Sequence, residues 1–112
     1  MAEHKVVLTG VDTGKLVALS PNKTRELLIS YHNGDKSKKD ELILGNLKLV
    51  LSLVNKFSKR VDNMDDIFQI GIIGLMKAID NFDLTQEVKF STYAVPMILG
   101  EIKRYLRDNS FM

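Results

Sequence analysis

The last third of the chain brings together aromatic rings and cations. The set consists of Phe82, Phe90, Tyr93, Lys103, Arg104 and Arg107. Unpaired bases stack on aromatic faces while Lys and Arg hold the phosphates between them, so this mixture is typical of a site for single-stranded nucleic acid. An alternative interpretation places Phe90 and Tyr93 in the core and leaves the cations as a solvated face, and composition alone favours neither.

Charge is distributed unevenly along the chain, although the formal net charge is only +2. Residues 36–61 hold seven basic residues against two acidic ones, and residues 88–107 hold four against one. Residues 62–87, which we call the acidic block, hold six acidic residues against a single Lys77. Phosphate is repelled by the acidic block, so that block should contact something other than DNA if the chain binds DNA. Scattered solvated faces are the simpler alternative.

Residues for catalysis or metal binding do not assemble into a site. The chain has no Cys, and His4 and His32 are far apart, which leaves His32 as a loop residue. Asp65–Asp66 are neighbours that point apart on a helix, and their negative charge suits a helix start. Gly71–Gly74 lacks the Lys and Ser or Thr of a phosphate loop. We therefore expect no enzyme activity, no metal and no cofactor.

Targeting and membrane signals are also missing from the sequence. The longest apolar-leaning stretch, residues 67–75, is far short of the roughly 20 residues that span a bilayer. The N-terminus lacks the apolar core of a secretion signal. We expect a cytoplasmic protein with no membrane partner.

The first two predicted helices have clear signals. Ser20–Pro21 is a typical helix start, and Asn33–Gly34 a typical stop, so the first helix should run to about Tyr31. Apolar residues at positions 43, 47, 50, 54 and 57 form one helical stripe, which predicts a continuous second helix.

Two more helices follow. The third, about Met64 to Ile79, carries an apolar stripe and a small-residue track that admits another helix closely. That track consists of Gly71, Gly74 and Ala78. Residues 81–88 are predicted to form a loop, Ser91 should cap the last helix, and Pro96 should kink it.

These elements predict an all-α fold, a compact bundle of about four helices with an extended N-terminal arm. We expect the arm at residues 1–18, the helical domain at residues 19–109 and a link to further domains at residues 110–112.

Three motifs resemble one known family. Asn46–Val50, Asp66–Asp83 and Lys89–Ala94 are similar, in order and spacing, to region 2 of the bacterial sigma factors of RNA polymerase, in the sigma-70 family. The resemblance covers about residues 20–109. Tyr93–Ile102 and Arg104–Asn109 resemble the sporulation group of endospore formers. Within that group Gly10–Leu16 is most like sigma-G factors, and sigma-F factors come next.

The resemblance implies a promoter-recognition domain for sporulation genes, acting in the forespore, with two binding surfaces. One surface docks on the clamp helices of the polymerase β′ subunit and contains Asp66, Gln69, Ile70, Ile72 and Met76. The other recognises and melts the minus-ten element by capturing flipped bases of the nontemplate single strand, with Tyr93 as the stacking ring. Its residues are Phe82, Gln86, Phe90, Tyr93, Gly100, Lys103 and Arg104, with Asn46, Ser91 and Thr92 forming a pocket for a second flipped base.

Departures from the family pattern qualify these roles. Housekeeping sigma factors carry two tryptophans where this chain has Pro96–Met97, a glutamine in place of Gly100 and a glutamate in place of Ile70. A tryptophan wedge is therefore missing, and base specificity is expected to depend on Lys103, Arg104 and Arg107. The chain stops before the domains that read the rest of a promoter, so we expect a fragment of a longer factor.

Two other function classes remain open. A helical interaction module held by an anti-sigma regulator would use Ile70, Ile73 and the small-residue track as its docking face. A repressor that reads duplex DNA with a helix-turn-helix fits less well, since aromatic rings suit unstacked bases.

Overall fold

The computed structural model describes residues 7–8, 11–12, 16–59 and 63–109. Apart from one short strand pair, these residues form the all-α bundle that the sequence predicts. They contain five α-helices, one more than expected. The helices are α1 (Pro21–His32), α2 (Lys38–Leu44), α3 (Leu47–Val54), α4 (Met64–Asn81) and α5 (Phe90–Asp108), with a 3-10 helix (Asn55–Phe57) directly after α3.

Two short strands lie within the predicted arm. Strand β1 (Val7–Leu8) pairs antiparallel with β2 (Val11–Asp12), so that Val7 lies opposite Asp12. The rest of the arm up to residue 15 and the predicted link at residues 110–112 lie outside the described residues. The domain boundaries therefore stay predictions.

Helix α1 begins and ends where its sequence signals lie. The hydroxyl of Ser20 accepts a hydrogen bond from the backbone N–H of Lys23 at 3.1 Å, and Pro21 is the first helical residue. After His32 the backbone turns at Gly34, whose φ of 112° lies in the left-handed region that glycine adopts without strain. Both predictions for this helix are confirmed.

The prediction of one continuous helix through residues 43–57 is wrong, because the chain breaks between α2 and α3. Asn46 leaves the helical conformation, with φ −118° and ψ 9°, and its side-chain amide donates to the carbonyl of Leu42 at 2.8 Å. A Cβ on Gly45 would lie 2.2 Å from the side chain of Leu19, so a larger residue at this position would displace that leucine. The apolar stripe continues across the break, which explains why periodicity alone missed it.

Helix α4 is in contact with two neighbours through its glycines. A Cβ on Gly71 would lie 2.7 Å from Val50 Cγ1 of α3, and a Cβ on Gly74 would lie 2.7 Å from the Cα of Ile98 in α5. The small-residue track is therefore buried inside the bundle, and the prediction that it forms part of an external docking face is wrong. Its predicted role in close helix packing is confirmed.

Helix α5 starts two residues before the prediction. Lys89 is the capping residue and Phe90 the first helical one, so Ser91 is not the cap. The ring of Phe90 is buried, and the carbonyl of Lys89 accepts from the N–H groups of Thr92 and Tyr93 at 3.1 and 3.3 Å. Pro96 lies inside α5 as expected, and the kink stays a prediction.

The hydrophobic core draws residues from every α-helix. Leu28, Leu42, Val50, Phe68 and Ile98 are fully buried and belong to five different helices. Helices α4 and α5 share the most extensive of the helix contacts, so the side chains that they leave outside are fixed by this packing.

A methyl group at Gly74 should destabilise the fold. We expect Gly74→Ala to lower the free energy of unfolding by about 1–3 kcal/mol, because the added Cβ meets the backbone of α5 and forces the helices apart. Urea unfolding measures the change. Gly100→Ala is the matched control, since no atom lies within 4 Å of its added Cβ, and it should stabilise by about 0.5–1 kcal/mol. Equal effects of the two substitutions would contradict the packing.

Candidate functional site

The α4 outer face lies opposite the buried side of α4. It consists of Asp66, Gln69, Ile70, Ile72, Ile73 and Met76. Asp66, Gln69 and Ile73 are exposed, and the other three are half-buried. Ile73 is 43% exposed, a large fraction for an isoleucine. The five residues predicted for polymerase binding are thus all at least partly accessible on one helix.

Hydrogen bonds organise the start of this face. Asn63 caps α4, and its side-chain oxygen accepts from the N–H of Asp65 at 3.0 Å. Asp65 in turn accepts a hydrogen bond from the side-chain amide of Gln69 at 3.1 Å. The first turn therefore presents two carboxylates at the positive end of the helix dipole, with Gln69 oriented by one of them.

At the other end of α4, the acidic block is tied into the fold. The hydroxyl of Tyr31 donates to the carboxylate of Asp80, and Lys39 lies 4.0 Å from the same carboxylate. This hydrogen bond raises the pKa of Tyr31, because the carboxylate holds the proton. Asp80 therefore has partners within the chain.

The α5 outer face carries the predicted DNA-binding residues of this helix. Its residues are Tyr93, Gly100, Lys103, Arg104 and Arg107, and their separations of seven, three, one and three positions place them on one side of the helix. The three cations are exposed and Tyr93 is half-buried. An aromatic ring near the start of the helix is thus followed by cations toward its end.

Two of these cations have carboxylate partners. Arg104 lies 2.9 Å from Glu101, and Arg107 lies 3.0 Å from Asp108. Lys103 has no ion pair within the part of the chain that the structure describes.

Three aromatic rings meet where the loop after α4 reaches α5. The ring of Phe82 lies 5.5 Å from that of Phe90 and 5.6 Å from that of Tyr93, centroid to centroid. Phe82 and Phe90 are buried, with 7% and 6% of their surface exposed. Both pack as core residues behind Tyr93 and also line the cavity described below, so their contact with DNA stays a prediction. The Tyr93 hydroxyl donates to the carbonyl of Asn81 at 3.4 Å.

A cavity of about 480 Å³ lies between α1, the start of α3 and the start of α5. Asn46 and Ser91, two of the three residues predicted to hold a second base, both line it. Thr92 is exposed and does not line it. The volume lies within the range of ligand pockets.

Sequence reasoning missed the contribution of α1 to this cavity. Asn22 and Arg25 line it from the first turns of α1, and Lys89 lines it from the start of α5. Arg25 also donates to the carbonyl of Leu84 at 3.0 Å, which ties α1 to the loop after α4. The sequence did contain a signal for this contribution: two polar residues three positions apart on a helix lie on the same face of it.

The loop after α4 is held by Asp83. Its carboxylate accepts from the hydroxyl and the backbone N–H of Thr85, at 2.6 and 2.9 Å. These bonds, the hydroxyl first, lower the pKa of Asp83, because they stabilise the charged form. The N–H of Gln86 reaches the carbonyl of Asp83 at 3.3 Å, so the turn fixes the position of this exposed predicted DNA-binding residue.

The described part of the chain lacks two other kinds of site. There, no helix is both long and apolar enough to cross a membrane. Among the same residues, no three His, Cys, Asp or Glu side chains are grouped closely enough to hold a metal ion. The clustered features are thus the two outer faces and the cavity.

Comparison with known proteins agrees with the resemblance stated above. The family model "Sigma-70 region 2" matches residues 42–111. An RNA polymerase sigma-G factor of Clostridium acetobutylicum is 58% identical over 110 residues, which are 98% of this chain and 43% of that protein. A putative RNA polymerase sigma-G factor of Bacillus thuringiensis is 56% identical over 98% of this chain and 88% of its own length.

Sigma-F factors are similar over a shorter stretch. The RNA polymerase sigma-F factor of Bacillus subtilis is 51% identical over 86% of this chain and 38% of its own length. The chain thus spans less than half of the Clostridium acetobutylicum and Bacillus subtilis proteins. The predicted likeness to sporulation sigma factors, with sigma-G ahead of sigma-F, is confirmed. The chain belongs to the sigma-70 region 2 family.

Proposed function

We propose that this chain is the promoter-recognition domain of a sporulation sigma factor. The α4 outer face binds the clamp helices of the polymerase β′ subunit. The α5 outer face and the cavity bind the nontemplate single strand of the minus-ten element. One observation carries this proposal. Residues from three places come together around Tyr93 and the cavity: the start of α3, the loop that follows α4, and helix α5. None of these residues belongs to the α4 outer face.

The domain organisation is part of the same proposal. Residues 19–109 form the helical domain, residues 1–18 an arm, and residues 110–112 lead to further domains that read the rest of the promoter. The greater length of the Clostridium acetobutylicum relative supports this organisation. The proposed factor works in the cytoplasm of the forespore.

Melting follows from binding energy alone in this scheme. A base that leaves the duplex costs a few kcal/mol in lost stacking and pairing. Stacking of a base on an aromatic ring recovers about 1–3 kcal/mol. Tyr93 supplies that ring for the first flipped base, and the cavity with Asn46 and Ser91 receives the second. No covalent step and no cofactor is needed.

The buried rings have a supporting role. Phe82 and Phe90 pack at 5.5 Å from each other, and Phe82 also contacts the ring of Tyr93. Tyr93 is therefore held from behind, and less side-chain freedom is lost when a base stacks on it. In this scheme Phe82 and Phe90 hold Tyr93 in place, and both rings also line the cavity that receives the second base.

The α4 outer face suits a protein partner. Its acidic first turn repels phosphate, while Ile70, Ile73 and Met76 offer apolar surface for burial. Gln69 is the polar side chain between these parts, and its bond to Asp65 is exposed and easily exchanged for a bond to a partner.

The exposed Ile73 also favours a second candidate function. An anti-sigma regulator that covers the α4 outer face would bury this side chain and exclude the polymerase. Such a regulator would compete with β′ for the α4 outer face. A competition experiment therefore distinguishes mutually exclusive binding from a complex that contains both partners.

Substitution of Gln69 tests the polymerase side. We expect the chain to bind an isolated β′ clamp-helix fragment with micromolar or tighter affinity in calorimetry. Gln69→Ala should weaken this binding about tenfold, the typical effect of losing one well-placed polar contact. Asn55→Ala, which removes an exposed amide from the 3-10 helix, should leave the affinity unchanged. A folded chain that does not bind the fragment would refute the proposed interface.

Substitution of Tyr93 tests the DNA side. Tyr93→Ala should weaken binding of a fluorescent 12-nucleotide, adenine-containing single strand by about 5- to 150-fold, which corresponds to the stacking energy of one base. Tyr93→Phe keeps the ring and loses only the long bond to Asn81, so its affinity should stay within about twofold. Fluorescence anisotropy measures both. If alanine and phenylalanine behave alike, Tyr93 is not the stacking ring.

A further inference from the structure

Glu101 lies where α4 and α5 meet, and each of its carboxylate oxygens is bound to a different cation. Oε2 lies 2.9 Å from Nζ of Lys77 on α4, and Oε1 lies 2.9 Å from a guanidinium nitrogen of Arg104 on α5. The side chain of Glu101 is only 15% exposed, whereas those of Lys77 and Arg104 are 45% and 55% exposed. The carboxylate is therefore the fixed member of this trio.

Helix packing sets the position of this carboxylate. A Cβ on Gly74 would lie 3.2 Å from Cγ of Glu101, so the stem of Glu101 rests on the bare backbone of α4. Lys77 follows Gly74 by three positions and Arg104 follows Glu101 by three, so each cation lies one turn away on its own helix. The stem of Glu101 is thus placed by the contact between the helices, and the two cations bind its carboxylate.

A carboxylate with so little water around it needs a counter-ion. If Arg104 turned away to a phosphate group, Glu101 would be left poorly solvated and unpaired, which is costly. Lys77 keeps one charge-assisted hydrogen bond to Glu101 in that event. Lys77, the second cation, therefore lowers the free-energy cost of breaking the ion pair between Arg104 and Glu101.

The other cations of the α5 outer face are not restrained in this way. The pair between Arg107 and Asp108 is exposed on both sides, at 73% and 56%, so water replaces it easily. Arg104 is thus the cation of this face whose availability to DNA depends on a partly buried partner.

We propose that Lys77 is a positioning residue for DNA binding: it neutralises Glu101 and so frees Arg104 to contact a phosphate. This inference rests on the proposed function, in which Arg104 faces the nontemplate strand. Lys77 itself lies on α4 and acts only through Glu101 and Arg104.

The test uses the 112-residue chain and a fluorescent 12-nucleotide single-stranded DNA at low ionic strength. Lys77→Met should weaken binding about three- to fivefold more than Lys56→Met, which removes the same charge from an exposed lysine of the 3-10 helix. This excess should vanish in the Glu101→Gln background, where no carboxylate is left to neutralise. It should also vanish in the Arg104→Gln background. Glu101→Gln alone should bind more tightly than the wild-type chain.

Each contrary outcome identifies a different failure. Equal losses for Lys77→Met and Lys56→Met would overturn the inference and leave the proposed function standing. An excess loss that persists in the Arg104→Gln background would show that Lys77 acts by a route other than Arg104, and it would also overturn the inference. Failure of both the wild-type chain and Glu101→Gln to bind the single strand, with β′ binding intact, would overturn the proposed DNA role, and the inference would fall with it.

Discussion

The close approach of α4 to α5 at Gly74 is the constraint on which the other features depend. The backbone of α5 lies where a side chain at position 74 would have to be, so the two helices pack with their backbones in close contact. That contact decides which residues remain outside on each helix. It separates an acidic and apolar surface on α4 from an aromatic and cationic surface on α5. A side chain at position 74 would disturb both surfaces together.

Opposite charges within the chain meet at the border of these surfaces. Lys77 is the lone cation of the acidic block, and Glu101 is the lone acid among residues 88–107. Each therefore looks out of place in the linear sequence, and the fold explains both, since they are partners across the helix contact. Elsewhere the acidic block is engaged by neighbours such as Tyr31 and Lys39. The charge pattern along the chain thus reflects internal pairing as well as the proposed binding.

Much of this architecture could be predicted from sequence. Local signals located α1 within a residue or two, and apolar spacing identified α4 and the core side of α5. The break between α2 and α3 could not be predicted from periodicity, since the apolar stripe continues across it, and the contact between Gly45 and Leu19 is distant in sequence. The alternative that places Phe90 in the core is correct, whereas burial of Phe82 depends on how the loop after α4 folds back, which aromatic composition does not encode. The cavity is lined by residues of both α1 and α5, so the position of Arg25 in its wall could be seen only in the folded structure.

The contact between Leu19 and Gly45 has a consequence for how this sequence can evolve. The backbone N–H of Leu19 donates to the carbonyl of Gly45 at 3.0 Å, and its side chain occupies the space that any larger residue at position 45 would need. Leu19 also lines the cavity near Asn46. A larger residue at position 45 therefore requires the side chain of Leu19 to move, and a smaller residue at position 19 would leave room for it. Substitutions at positions 19 and 45, beside the α2–α3 break, would thus change the shape of the cavity without any change in the residues proposed to hold a base.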